Sequence, residues 1–238
     1  MAQQHYYSRV PARMSMFNKT DGFDTFACSK GIDLAFAEDT LRVVDEIKLT
    51  ASDNSEIRGG NWSPCYVQFN TAKGGAVQSR ITYLPLDYTS ERPGYMVHSL
   101  ILNNDERQKM IYDLDAVPVN SDLFAVDLNA FDLLSADSEP IGDLPEIDYV
   151  CLQNRQRDLL VQNYPAETVK RFLYSVLAAT CGKLRNMYIL LDDDQASDPA
   201  FMLGMINSVY GILPIQLRST FTFATRVNNI THLPVVKI

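Results

Sequence analysis

The chain has 238 residues, 46% of them hydrophobic and 21% charged, which is ordinary folded-protein usage and enough for one large domain or two small ones. That balance excludes disorder as the main state, which needs low hydrophobicity with high charge. The net charge is −8 with no basic stripe. This argues against nucleic acid or an anionic membrane surface as partner, since both need clustered Lys or Arg.

Taken in chain order, Gln3 to Val10 reads as a short Tyr-rich strand and Phe23 to Cys28 as another. Ala37, Leu41, Val44 and Ile47 fall at helical spacing within Phe36 to Lys48. Cys65, Val67 and Phe69 alternate with more polar neighbours. Val77, Ile81 and Tyr83 do the same after Lys73-Gly74-Gly75, a glycine pair that signals a hairpin. Tyr95 to Leu102 is apolar on both faces and reads as a central strand. Asn104-Asp105-Glu106 is expected to cap a short helix through Ile111.

Residues 115 to 148 are acidic and hold Pro118, Pro140 and Pro145. From Asp105 to Asp148 there are twelve Asp or Glu against Arg107 and Lys109, a net of −10, which leaves +2 for the remainder. Ser135 to Asp143 is small, polar and turn-forming, so it is the expected linker. Beyond it, Pro165 opens a helix carrying Val169, Phe172, Leu173, Val176 and Leu177 on one face, with Gly182 as its stop. Met187 to Leu191 reads as a buried strand. Asp198-Pro199 opens a second helix with Met202, Met205, Ile206 and Val209 aligned, closed by Gly211 and Pro214. Ile215 to Val227 alternates as a half-buried strand. The expected fold is α+β: an N-terminal mixed or antiparallel sheet domain with flanking helices over 1–142. A smaller helix-strand-helix-strand α/β domain is expected over 147–238.

No apolar run approaches the roughly 18 residues that span a membrane. The opening Met1 to Tyr7 lacks the basic and apolar stretches of a secretory signal, so the expected compartment is the cytoplasm. Cys28, Cys65, Cys151 and Cys181 form no CxxC pair and are expected to be buried free thiols.

Catalytic signals are sparse. His5, His98 and His232 sit in no metal-ligand spacing, and no GxxxxGK[ST], GxSxG, SxxK or GxGxxG motif occurs. Two minor candidates remain. Cys28, beside Lys30, pairs with His98 as the nucleophile and base of a cysteine hydrolase. Asp192, Asp193 and Asp194, after an apolar run, offer carboxylates to a cation, although they read more simply as a solvated turn. No cofactor is expected. For protein contacts, Trp62, Tyr66, Arg80 and Tyr83 supply the aromatic and Arg types that dominate interfaces. Asp127, Asp132 and Asp137 mark the acidic segment as a surface for a basic partner.

The chain also resembles a known family. Tyr6-Tyr7-Ser8, then Gly22-Phe23-Asp24-Thr25-Phe26-Ala27-Cys28-Ser29-Lys30-Gly31-Ile32, looks like the start of the N-terminal domain of bacterial GTPase-associated proteins. Tyr95 to Leu102 fits the same pattern, and Leu213 to Thr225 resembles the middle domain that follows. The resemblance implies a non-enzymatic adaptor of a bacterial conflict system, encoded beside a small GTPase and binding that GTPase or another component. It carries over no catalytic residue. Such proteins continue past the strand at which this chain stops, so an N-terminal fragment of a longer protein is expected.

Overall fold

The structure is a computed structural model describing residues 1–41, 57, 63–71, 74–113, 119–125, 131, 138–149, 159–183, 187, 189, 194–195 and 198–225. Its frame is a seven-stranded sheet. The strands are β1 (Gln3–Val10), β2 (Gly22–Ser29), β3 (Cys65–Asn70), β4 (Ala76–Leu84), β5 (Gly94–Leu102), β6 (Ile141–Leu144) and β7 (Phe223–Ala224). They lie in the order β6-β2-β1-β5-β4-β3-β7. Every pair is antiparallel except β2 with β6, which makes the sheet mixed. The helices are α1 (Leu34–Leu41), α2 (Asn104–Tyr112), α3 (Leu159–Asn163), α4 (Ala166–Thr180), α5 (Pro199–Ile212) and α6 (Ile215–Arg218). The fold is α+β.

The elements form where local chemistry favours them. β3 and β4 run antiparallel from Cys65↔Ile81 to Asn70↔Ala76, and Gly74, at φ 88, takes the left-handed turn that the glycine pair foretold. β5 is the middle strand of the seven. The cap of α2 is Asn103, one residue earlier than expected: its side chain accepts from the Asp105 and Glu106 amides. Asp198 caps α5 through the Ala200 amide at 2.9 Å. Gly182, at φ 73, ends α4.

Strand pairing sorts side chains onto two faces, because directly opposed residues share a face and neighbours alternate. One face carries Gln4, Tyr6, His98, Leu100, Gln78, Arg80, Tyr66 and Gln68. It is covered by a cluster that includes Met110, Leu160, Val176, Val209, Tyr210 and Phe221. The other face carries His5, Val97, Ile81, Val67 and Cys28, packed with Ile32, Ala37 and Ile57. Between Tyr6 and Tyr7 the register to β2 shifts, which turns both Phe26 and Ala27 toward Tyr6.

The C-terminal part differs from the alternating pattern. Ile215 to Arg218 is a helical turn, and among the described residues of this part only Phe223 and Ala224 join the sheet. Pro214 at φ −52 starts that turn, and its carbonyl accepts from the Leu217 and Arg218 amides. Arg218 then folds into the interior. It donates to the carbonyls of Leu213, Gly211 and Asp113 and lies 4.9 Å from the Tyr210 ring centroid. These carbonyls, at the C-terminal ends of α5 and α2, suit a cation. Met187 and Ile189 belong to no strand, and the rest of the expected Met187–Leu191 strand lies outside the described residues, as do residues 42–48 of the first helix.

Segments 1–142 and 147–238 are proposed as separate folding units. In the folded chain they meet: β7 pairs with β3, and Leu100, Leu102 and Tyr66 share an apolar cluster with Tyr210 and Phe221. Limited proteolysis is expected to cut first between Ser135 and Pro145, and the two products are expected to co-elute until denatured. A first cut inside α4 would contradict the division.

Candidate functional site

A single row of side chains crosses the first face of the sheet: Tyr66 on β3, Arg80 on β4, His98 on β5 and Tyr6 on β1, each directly opposite the next. Tyr66, His98 and Tyr6 are buried, and Arg80 is half-buried. The Arg80 guanidinium carbon lies 5.7 Å from the Tyr66 ring centroid. His98 stacks on Tyr6 at 4.0 Å and meets Phe124 edge-on at 5.4 Å. Phe131 closes over Tyr6 and Phe26.

The state of His98 follows from one hydrogen bond. The Ala125 amide donates to Nδ1 at 2.9 Å, so Nδ1 accepts and the neutral ring carries its proton on Nε2. Burial, helped by the nearby His5 and Arg80, pushes the His98 pKa down to about 3. On the opposite face, His5 bonds to Thr25 Oγ1 at 2.7 Å. Burial lowers the His5 pKa to about 4, against a raising influence from Asp24. Burial raises the Tyr66 phenol above its usual range, with Arg80 pulling the other way.

The expected cysteine hydrolase site is not assembled. Cys28 lies opposite His5, while His98 lies opposite Tyr6, the next residue, so the two groups stand on opposite faces of the sheet. Burial also raises the Cys28 thiol above its usual pKa, the reverse of what a nucleophile requires, and Lys30 is exposed beside it. Cys28 contacts Met16 Sδ at 3.5 Å. Cys65 is a buried free thiol as expected, but Cys181 is exposed at the end of α4, and Cys151 lies outside the described residues.

The other candidates scatter. Tyr83 is buried on the face opposite Tyr66 and Arg80, so alternation splits the aromatic and basic set. Trp62, Asp127, Asp132, Asp137, Asp192 and Asp193 lie outside the described residues. Asp194 sits in a helical turn, and among the described residues no three His, Cys, Asp or Glu are grouped to hold a metal ion. Of the eight described carboxylates between Asp105 and Asp148, only Glu106 is buried, held by the N-terminal amine. Glu139, Asp143, Glu146 and Asp148 are exposed on and around the edge strand β6.

The family model for GTPase-associated protein 1, N-terminal domain type 2, matches residues 1–119. The chain belongs to this family. The matched span holds β1 to β5 and the whole Tyr66–Arg80–His98–Tyr6 row, while Phe124, Ala125 and Phe131, which pack against that row, follow it. Neither the curated proteins nor the solved structures gave a match. No helix among the described residues is long and apolar enough to cross a membrane.

Residue types single out Arg80, Tyr66 and His98 but not Tyr6 and Thr82, because only the strand registers bring these onto the His98 face, while His5 lies on the other. The pKa directions fix a pH dependence. The unfolded chain takes up protons on His5 and His98 near pH 6.5, whereas the folded chain resists until about 4 and about 3. Stability is therefore full above pH 6.5 and falls as pH drops through that window. The melting temperature is expected to fall between pH 6.5 and about 4.5, above most carboxylate titration. His98→Asn should flatten the slope by up to one proton, and a flat wild-type profile would contradict the buried neutral histidines.

Proposed function

We propose that this chain is a non-enzymatic adaptor of a bacterial GTPase-associated conflict system, binding the GTPase or another component of that system. The observation that carries the reading is the family match over residues 1–119, the half of the chain that builds most of the sheet. The cytoplasm is the compartment in which such a partner would be met.

The docking surface we infer is the acidic stretch from Asp105 to Asp148, with its net charge of −10. Its described part supports this: among the described residues β6 is a short edge strand paired with β2 alone, with Asp143 exposed on it and Glu139, Glu146 and Asp148 exposed around it. Edge strands present backbone donors and acceptors to a partner, and charge selects which partner approaches. A basic protein surface fits this edge.

The test uses the purified full chain and the GTPase encoded beside it, in GDP-bound and GTP-analogue-bound forms. Association is expected in at least one nucleotide state. The association rate should fall roughly tenfold or more as salt rises well past about 0.15 M. Charge reversal at Asp127, Asp132 and Asp137 should slow it similarly. No binding in either state would remove the GTPase as partner. Binding indifferent to both salt and charge reversal would move the docking surface away from the acidic stretch.

A further inference from the structure

Three polar groups on the first face of the sheet stand out by having no partner among the described residues: Arg80 Nε, His98 Nε2 and Thr82 Oγ1. All three atoms are buried. Arg80 is directly opposite His98, and Thr82 is two residues along β4 on the same face. The His98 ring is 1% exposed and is held on three sides, by Tyr6 stacked at 4.0 Å, Phe124 edge-on at 5.4 Å and the Ala125 amide on Nδ1. That leaves its Nε2 as the remaining polar atom. Because Nδ1 accepts, Nε2 bears a hydrogen and can only donate. Arg80 Nε can also only donate, and the Thr82 hydroxyl can donate.

Elsewhere on the same face several side-chain amide nitrogens are matched. Gln78 Nε2 donates to Gln68 Oε1 at 3.0 Å and to Tyr149 Oη at 2.9 Å, Gln68 donates to the Phe221 carbonyl, and Asn70 donates to the Ser219 carbonyl. A buried donor left without an acceptor has lost its hydration with nothing in exchange. Arg80 Nε and His98 Nε2, which can only donate, beside a Thr82 hydroxyl that can donate as well as accept, make a set that one acceptor would complete. The charge of the set narrows its chemistry. Arg80 contributes one positive charge, and the imidazole is neutral, so the set as a whole is +1. A carboxylate has matching charge, accepts several hydrogen bonds and suits an Arg donor. Arg80 and Thr82 are half-buried, and the Arg80 guanidinium lies beside the Tyr66 ring.

We propose that Arg80, His98 and Thr82 form a binding site for a carboxylate group of a small ligand. Arg80 supplies the charge, His98 Nε2 the donor at the floor, and Thr82 the hydroxyl at the side. The site is on the sheet face and uses none of the acidic residues assigned to partner docking, so it stands or falls independently of the adaptor reading.

The test is thermal melting of the full chain, with no protein partner present, in sodium acetate, sodium phosphate and sodium chloride at matched ionic strength and pH 7. Acetate is expected to raise the melting temperature saturably over chloride. Arg80→Gln and Thr82→Val should each weaken the apparent affinity, Arg80→Gln by roughly tenfold, in line with one lost charge-assisted hydrogen bond. Arg80→Lys keeps the charge but loses Nε, so a weakened response there, in a variant that melts cooperatively, supports the geometry even if Arg80→Gln folds poorly. An acetate response equal to chloride, or one unchanged in Thr82→Val and both Arg80 variants, would overturn the site. Saturable stabilisation by phosphate but not by acetate would overturn the carboxylate assignment.

Discussion

Gln78 lies on β4, wholly buried, and its amide nitrogen finds Gln68 Oε1 and Tyr149 Oη within 3.0 Å. The constraint it illustrates governs the molecule. A sheet covered on both faces has no water to satisfy polar side chains, so the protein must supply their partners. The row on β3 meets this constraint by recruiting the C-terminal segment. Gln68 donates to the Phe221 carbonyl and Asn70 to the Ser219 carbonyl. Arg107 on α2 reaches Ser219 and Gly74 as well. The Tyr66 amide donates to Thr225 Oγ1, and the Tyr66 carbonyl accepts from the Thr225 amide. Apolar burial packs the C-terminal helices onto the sheet, and these directional bonds fix where β7 lands.

The same constraint explains why Arg80, His98 and Thr82 are conspicuous. Gln78, two positions from Arg80 along β4, donates to Gln68 and Tyr149, and the aromatic rings around His98 are closely arranged. Two of the three groups, Arg80 Nε and His98 Nε2, can only donate, so one acceptor would answer both. The family assignment places this spot within the half of the chain that defines the N-terminal domain, whereas the acidic edge at β6 lies beyond the matched residues.

Much of the fold was legible in the sequence, and the reasons are local. The alternation in β3 and β4, the glycine turn between them and the apolar run of β5 each carry their own signal. Ile215 to Val227 misled because a proline-started turn and a strand can share the same alternation, and only the buried carbonyls awaiting Arg218 decide between them. Pairing registers were not legible. Cys28 and His98 make a plausible dyad on paper, yet a one-residue offset between Tyr6 and His5 sends them to opposite faces. The site was half legible: residue types flagged Arg80 and His98, but their adjacency and the shared lack of acceptors are properties of register and burial.

The central claim is that His98 is a buried, neutral imidazole whose only free hydrogen-bonding atom is a donor. Nitrogen-15 NMR of the imidazole side chains in the full chain at pH 7 tests it most directly, because protonated and unprotonated ring nitrogens resonate far apart. The account predicts that His98 shows a protonated Nε2 and an unprotonated Nδ1, with the Nε2 signal moving when acetate is added. A protonated Nδ1, or a doubly protonated ring at pH 7, would contradict it.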